Sequence, residues 1–255
     1  MDTMLSSLFA RLASLCLYAC LLGGLITLAS CSSRPSSSNN RPNPVPGILQ
    51  AVSTLITSGK LREAEILLTR SLQTDGENLI IWQEMLSLQL QITAQESRSL
   101  SGSPLLRGNA LLEAGETLER ARSTLNGIRG LSIAPGSKVD PKTVVESEAL
   151  FGRAQDRFKS KLQVFCKERI DEANDWRYKA HHWYKPNKRS LVVKGVEQVR
   201  LVLQFKSRLE AWSEADICGS AATALSELKA LVKEDEWTDI LARAGFNPGS
   251  IPFPK

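Results

Sequence analysis

Between residues 12 and 29 the chain is apolar or small at every position except Ser14, Tyr18 and Thr27, and it carries no charge. Such a run is either a signal-peptide core or a short membrane span. The stretch 32–44 that follows Cys31 has no apolar residue apart from proline. It cannot build a core, and the chain over 31–46 reads as a disordered polar tether, which favours the signal peptide. From residue 48 onward the pattern changes to apolar positions three or four apart. β-Branched runs with period-two alternation are scarce, and the densest, Leu191-Val192-Val193, continues into a helical pattern. The pattern predicts an all-α body.

Residues 48–58 and 61–73, joined by Gly59-Lys60, predict two helices and a tight turn; Leu61, Ala64, Leu67, Leu68 and Leu72 form the buried stripe of the second. A further pair is predicted over 78–96 and 105–125, the latter with Leu111, Leu112, Leu118, Ala121 and Leu125 on one face. Gly127, Gly130 and Pro135-Gly136 make 127–140 the best internal boundary. Asp140-Pro141 then supplies an N-cap acceptor followed by proline at the first helical position.

Beyond it Phe151, Ala154, Phe158, Leu162, Phe165, Arg169, Ala173, Trp176, Ala180 and Trp183 recur at steps of three or four. Arg169 is the one flaw, beside which Ile170 can partly substitute. A helix over 141–184 would be roughly 65 Å long and needs a partner to cover its stripe. That partner follows Pro186-Asn187-Lys188-Arg189: Ser190 can cap a helix whose stripe is Val192, Val196, Val199, Val202, Phe205, Leu209 and Trp212. The pair predicts a long antiparallel α-hairpin. Helices over 222–232 and 237–244 close the chain, the last stopped by Gly245.

Leu28-Ala29-Ser30-Cys31, set between the apolar core and the polar tether, resembles the lipobox of bacterial lipoproteins. The resemblance implies a signal peptide over 1–30, cleavage before Cys31, and lipid on the sulfur and amino group of that cysteine. Two or more acyl chains give stable membrane anchoring where one does not. Ser32, where Asp would stand in inner-membrane proteins, resembles the outer-membrane default and implies a periplasm-facing position in a two-membrane bacterium. The pattern departs from the family in its weakly positive start, where Asp2 and Arg11 are the only charged side chains before the apolar run.

A second resemblance rests on Gly59 in the turn, Ala64 and Leu68 on the following helix, Ser71 at a small position, and Trp82 about one repeat after Ile48. These resemble a tetratricopeptide repeat over about 48–82 and imply a helical-repeat-like region over 47–130, in a class of protein that binds other proteins. Gly76 stands where that family usually has proline, and Leu86 and Arg98 stand where the next unit wants small residues.

Charge sharpens the picture at one place. The net charge of +5 comes from 151–210, which holds fifteen Lys and Arg against seven Asp and Glu. Its densest cluster of aromatic and basic residues is Trp176, Arg177, Tyr178, Lys179, Trp183, Tyr184, Lys185, Lys188 and Arg189, at the expected hairpin tip. Cations interleaved with aromatic rings suit a protein face, an anionic lipid surface or a wall polymer. Export would separate the body from nucleic acid.

Catalytic spacings are not seen. The two histidines, His181 and His182, are adjacent and would point about 100° apart on a helix, poorly placed to share a metal. Cys166 and Cys218 are the cysteines left after Cys31. A turn near Asn187 puts Cys218 about 15 Å beyond the level of Cys166, so a bridge would require the second helix to fold back near Gly219. The sequence thus predicts a lipid-anchored, non-catalytic helical adaptor or assembly scaffold without cofactor or metal, binding a protein partner. The alternative is a tether that binds an anionic envelope surface through the basic aromatic tip of the hairpin, which with the C-terminal helices fills residues 140–255; an exported hydrolase is the third and least favoured reading.

Overall fold

The computed structural model of the chain describes residues 45–98, 102–182, 185–209 and 220–246, except for the side chains of residues 185–186 and 206–207. Cys31 with the expected signal and tether, and Trp183, Tyr184, Trp212, Cys218 and the tail after Phe246, lie outside the described residues. Eight helices are described: α1 (Val45–Thr57), α2 (Leu61–Thr74), α3 (Leu79–Glu96), α4 (Pro104–Ile133), α5 (Pro141–His182), α6 (Lys185–Arg208), α7 (Ser220–Lys229) and α8 (Glu234–Arg243). No strand occurs among these residues, so the all-α class stands.

Local chemistry sets the helix ends. Gly59 adopts φ +77°, and the chain leaves α1 through two bonds, Gly59 N–H to Ile56 O at 3.0 Å and Lys60 N–H to Leu55 O at 2.8 Å. A residue with a side chain would be strained there, which is why glycine ends this helix. Phe246 and Gly245 close α8 with the same pair of bonds. At the starts, Asn78 accepts from Ile81 N–H, Ser103 from Leu106 N–H, and Asp140 from Lys142 N–H at 2.9 Å. Each satisfies a donor that a helix start leaves over.

The apolar side chains form two clusters. The smaller joins Val52 of α1, Leu61, Ala64 and Leu68 of α2, and Ile81, Met85, Leu88 and Ile92 of α3. The larger runs from Leu86 of α3 through Leu111, Leu118 and Leu125 of α4 to the hairpin and the last two helices. Helix α3 therefore presents apolar residues on two sides and serves as the wall between the clusters, so it lacks the one-sided pattern of a surface helix. The division of apolar packing runs along α3, and α4 shares its core with α5 through α8.

Between α2, α3 and α4 lies a seam of polar side chains. Glu65 is buried, at 9% exposure. Its carboxylate accepts from Arg62 Nη1 at 2.8 Å, Arg120 Nε at 3.0 Å and Gln89 Nε2 at 3.1 Å. Thr124 donates to the other end of Gln89 at 2.8 Å. The hydroxyl of Thr117 accepts from both guanidinium groups at 3.0 Å and donates to Glu96, itself paired with Arg62. The seam satisfies every charge it buries, which is what makes it tolerable inside the body.

Helix α4 departs from the expected pattern. It runs on through Gly127 and Gly130 to Ile133, and the connector is confined to residues 134–140. The reason is packing: a Cβ on Gly127 would lie 2.5–2.8 Å from three ring atoms of Trp82. The glycine that reads as a breaker is the place where the Trp82 ring of α3 packs onto the backbone of α4. Gly127→Ala is therefore expected to lower stability by about 1–3 kcal/mol through overpacking, despite a helix-propensity gain of about 1 kcal/mol. Gly130 has nothing within 4 Å, and Gly130→Ala is expected to raise the melting temperature. Thermal unfolding of the two variants checks the contrast.

Helices α5 and α6 pair antiparallel, with Phe165 against Phe205 at 5.4 Å between ring centres. Val192, Val196, Val199 and Val202 are each fully buried between them. Arg169 sits in this interface at 6% exposure, ion-paired to Glu172 and donating to Gln198 Oε1 at 2.9 Å. Ile170 is buried beside it, so the position read as a flaw carries a cation with its own partners. Cys166, next to Phe165, is also buried.

Candidate functional site

The hairpin tip is built by the last turns of α5 and the first turns of α6, to which α7 and α8 are joined through Glu227 and Asp239. Ala180 is fully buried and fixes this end of α5 against the core. That leaves Trp176 half-buried and Tyr178 exposed at 63% on the outer side.

Trp176 is flanked by two ammonium groups, Lys179 Nζ 4.5 Å and Lys194 Nζ 4.6 Å from the ring centre. Lys179 also pairs with Asp175 at 2.5 Å. The antiparallel register brings Lys194 of α6 across to the ring. A tryptophan held by two cations has little freedom left to lose on binding, which suits a contact surface. Close by, the Tyr178 and His182 rings lie 4.1 Å apart at 34°, and His182 Nδ1 lies 2.9 Å from Tyr178 O. His181 and His182 are both exposed, with ring planes 74° apart.

Other tip cations diverge. Arg177 pairs with Glu227 of α7, and Arg189 pairs with Asp239 of α8, which also holds Arg243 at 2.7 Å. These pairs pin the last two helices to the hairpin. Lys188 is half-buried and has no ion pair among the described residues. Trp183, Tyr184 and the Lys185 side chain lie outside them. The structure thus gathers Lys179 and Lys194 on the Trp176 ring, turns Tyr178 to the opposite side of α5 with His182, and turns Arg177 and Arg189 toward carboxylates of the chain itself.

Sequence reasoning missed Lys194, and the signal for it was present. The Val192–Val196 stripe fixes the register of α6 and places the intervening lysine near the level of Trp176. It also missed Glu227 and Asp239, which no local spacing links to the tip. Among the described residues, no three His, Cys, Asp or Glu side chains converge as metal ligands would. No described helix is long and apolar enough to cross a membrane. The chain matches no family model, no curated protein and no solved structure.

Proposed function

We propose that the protein is a lipid-anchored helical adaptor of the bacterial cell envelope, held to the membrane through Cys31 and binding a partner protein at the α5–α6 tip. It acts without catalysis, as an assembly scaffold, and faces the periplasm from the outer membrane. The observation that carries the partner surface is Trp176 with the ammonium groups of Lys179 and Lys194 on its ring, in the same helical turn as exposed Tyr178. Anchored aromatic rings ringed by polar side chains are where protein interfaces concentrate their energy. The tetratricopeptide-like pattern in α1 and α2 and the all-helical body support the same reading. The envelope position rests on Leu28-Ala29-Ser30-Cys31 and the polar stretch after it.

The alternative, an anionic lipid or wall polymer at the tip, is the weaker reading for an electrostatic reason. Arg177, Lys179 and Arg189 each face a carboxylate of the chain itself. Internal pairing lowers the potential that would draw a polyanion.

A photo-crosslinking residue placed at Tyr178 in cells is expected to yield a discrete protein adduct. Trp176→Ala is expected to reduce it tenfold or more while the chain stays folded, as loss of an interface anchor of about 2 kcal/mol implies. An adduct unchanged by Trp176→Ala would count against this surface. Salt-sensitive sedimentation with anionic vesicles, abolished by charge reversal at Lys188 and Arg189, would favour the alternative. Mass spectrometry of the mature N-terminus tests the anchor, with an acylated Cys31 as the expected first residue.

A further inference from the structure

Away from the tip, four basic residues without an internal carboxylate gather in the groove where α3 and α5 pack together. Arg153, Arg157 and Lys161 stand four residues apart along one face of α5, and Arg98 faces them from the end of α3. The cavity they surround has a volume of about 350 Å³, within the range of small-ligand sites. Its lining contains no Asp or Glu, and none of the four cations is ion-paired among the described residues. Between the cations the floor is apolar, formed by Leu90 of α3 and by Ala154 and Phe158 of α5. Leu150 continues it at 47% exposure, an apolar side chain left open beside two arginines.

One end of this groove is arranged for negative charge. Helix α3 finishes there, and its last carbonyls would ordinarily repel an anion. Lys161 covers that end: its ammonium donates to Ser97 O at 2.9 Å and to Ser97 Oγ at 3.0 Å. The ammonium is thereby held in place at the mouth of the cavity. Burial, and then the charges of Arg98 and Arg157, push Lys161 below the ordinary lysine value. Clustered cations that repel one another are relieved by an anion among them. From the level of Lys161 to that of Ala154, the floor runs roughly 10 Å along the helix.

We propose that the α3–α5 groove binds an anionic amphiphile, its phosphate or carboxylate head among Arg98, Arg157 and Lys161 and its alkyl chain along Leu90, Ala154 and Phe158. Arginine forks and a lysine ammonium suit oxygens of either head group. The apolar floor accounts for the alkyl part, which a free phosphate would leave uncovered. This site is separate from the tip surface, and it stands or falls without the adaptor reading.

The test is titration calorimetry of the full chain with decyl phosphate below its micelle-forming concentration. Parallel arms use decanoate, inorganic phosphate and decyl maltoside. Decyl phosphate and decanoate are expected to bind at one site and to weaken as salt is raised. The double variant Arg98→Ala/Arg157→Ala is expected to lose about tenfold or more in affinity, with an unchanged unfolding midpoint because both side chains are exposed. Ala154→Glu, which puts a carboxylate on the floor, is expected to abolish binding. Inorganic phosphate binding as tightly as decyl phosphate would overturn the amphiphile and leave a simple anion site. Equal binding of decyl maltoside, or affinity unchanged in the double variant, would overturn the role of charge. Absence of binding by both charged amphiphiles would overturn the site.

Discussion

Phe165→Ala is expected to remove about 3–5 kcal/mol of stability, the usual range for deleting a buried aromatic ring. That is a large part of the roughly 5–15 kcal/mol that holds a domain folded. Phe165 is 1% exposed and meets Phe205 edge to face at 5.4 Å. It also carries two guanidinium groups on its faces, with Arg107 at 5.6 Å and Arg169 at 5.7 Å from the ring centre. The alanine therefore loses contact area, an aromatic pair and two cation–ring contacts together. Arg169 makes matters worse, because its Nε is buried without a hydrogen-bond partner. Collapse around the cavity would bring a cation toward apolar side chains. Phe165→Leu, which keeps most of the volume, is expected to cost about half as much. Urea unfolding followed by circular dichroism measures both. A loss below about 1.5 kcal/mol for the alanine would show that the two arginine stems refill the space.

Glu65→Gln is the second large effect, expected to cost about 2 kcal/mol at neutral pH. The glutamine keeps one acceptor but turns an amide toward a guanidinium group. The figure stays below that of a fully buried pair because the Arg62 and Arg120 side chains remain 46% and 45% exposed and water can reach them. Burial alone pushes the Glu65 carboxyl up, but hydrogen bonds from Arg62 and Gln89, with the charge and hydrogen bond of Arg120, hold it below its ordinary 4.5. A depressed carboxyl adds stability above its unfolded value, and that stability is lost as pH falls through the folded one. The gap between wild type and Glu65→Gln should then close as pH drops below about 4.5.

Glu96, in the same seam, behaves in the opposite sense. Its burial outweighs Arg62 and Thr117 and holds it above 4.5. A raised carboxyl favours the fold at low pH and loses that contribution as pH rises through the folded value. Glu96→Gln should be the milder substitution at pH 7. Urea midpoints of both variants at pH 7 and pH 4 decide the matter. A larger cost for Glu96→Gln at neutral pH would reverse the assignment of the two carboxylates.

Much of the architecture can be read from spacing. The stripes Phe158, Leu162, Phe165 and Val192, Val196, Val199, Val202 mark buried faces, and all seven residues are at most 1% exposed. Asp140-Pro141 marks the start of α5 and Gly59 the end of α1, because each acts within a few residues of itself. What spacing misreads are the positions whose reason lies far away in sequence. Gly127 looks like a stop signal until Trp82 is placed upon it. Arg169 looks like an error until Glu172, Gln198 and the Phe165 ring surround it.

The surfaces divide in the same way. Trp176, Tyr178 and Lys179 are legible as a tip cluster because they share one helical turn. The neutralisation of Arg177 by Glu227 and of Arg189 by Asp239 links residues fifty apart. Charge counting therefore overstates the free charge of the tip and passes over the cations gathered in the α3–α5 groove. Arg153, Arg157 and Lys161 repeat at a four-residue interval that a reader could have marked. Arg98 joins them only because α3 and α5 run side by side.

The division of the core along α3 also has a mechanical meaning. Helix α1 lies at the edge of the smaller cluster, and the polar stretch joins it at Val45. A pull transmitted through that stretch would strip α1 from α2 long before it strained the larger core. Its 13 residues would lengthen from about 20 Å as helix to about 45 Å as extended chain. The fold thus holds in reserve some 25 Å of slack, which can be paid out while the hairpin tip and the α3–α5 groove keep their shape.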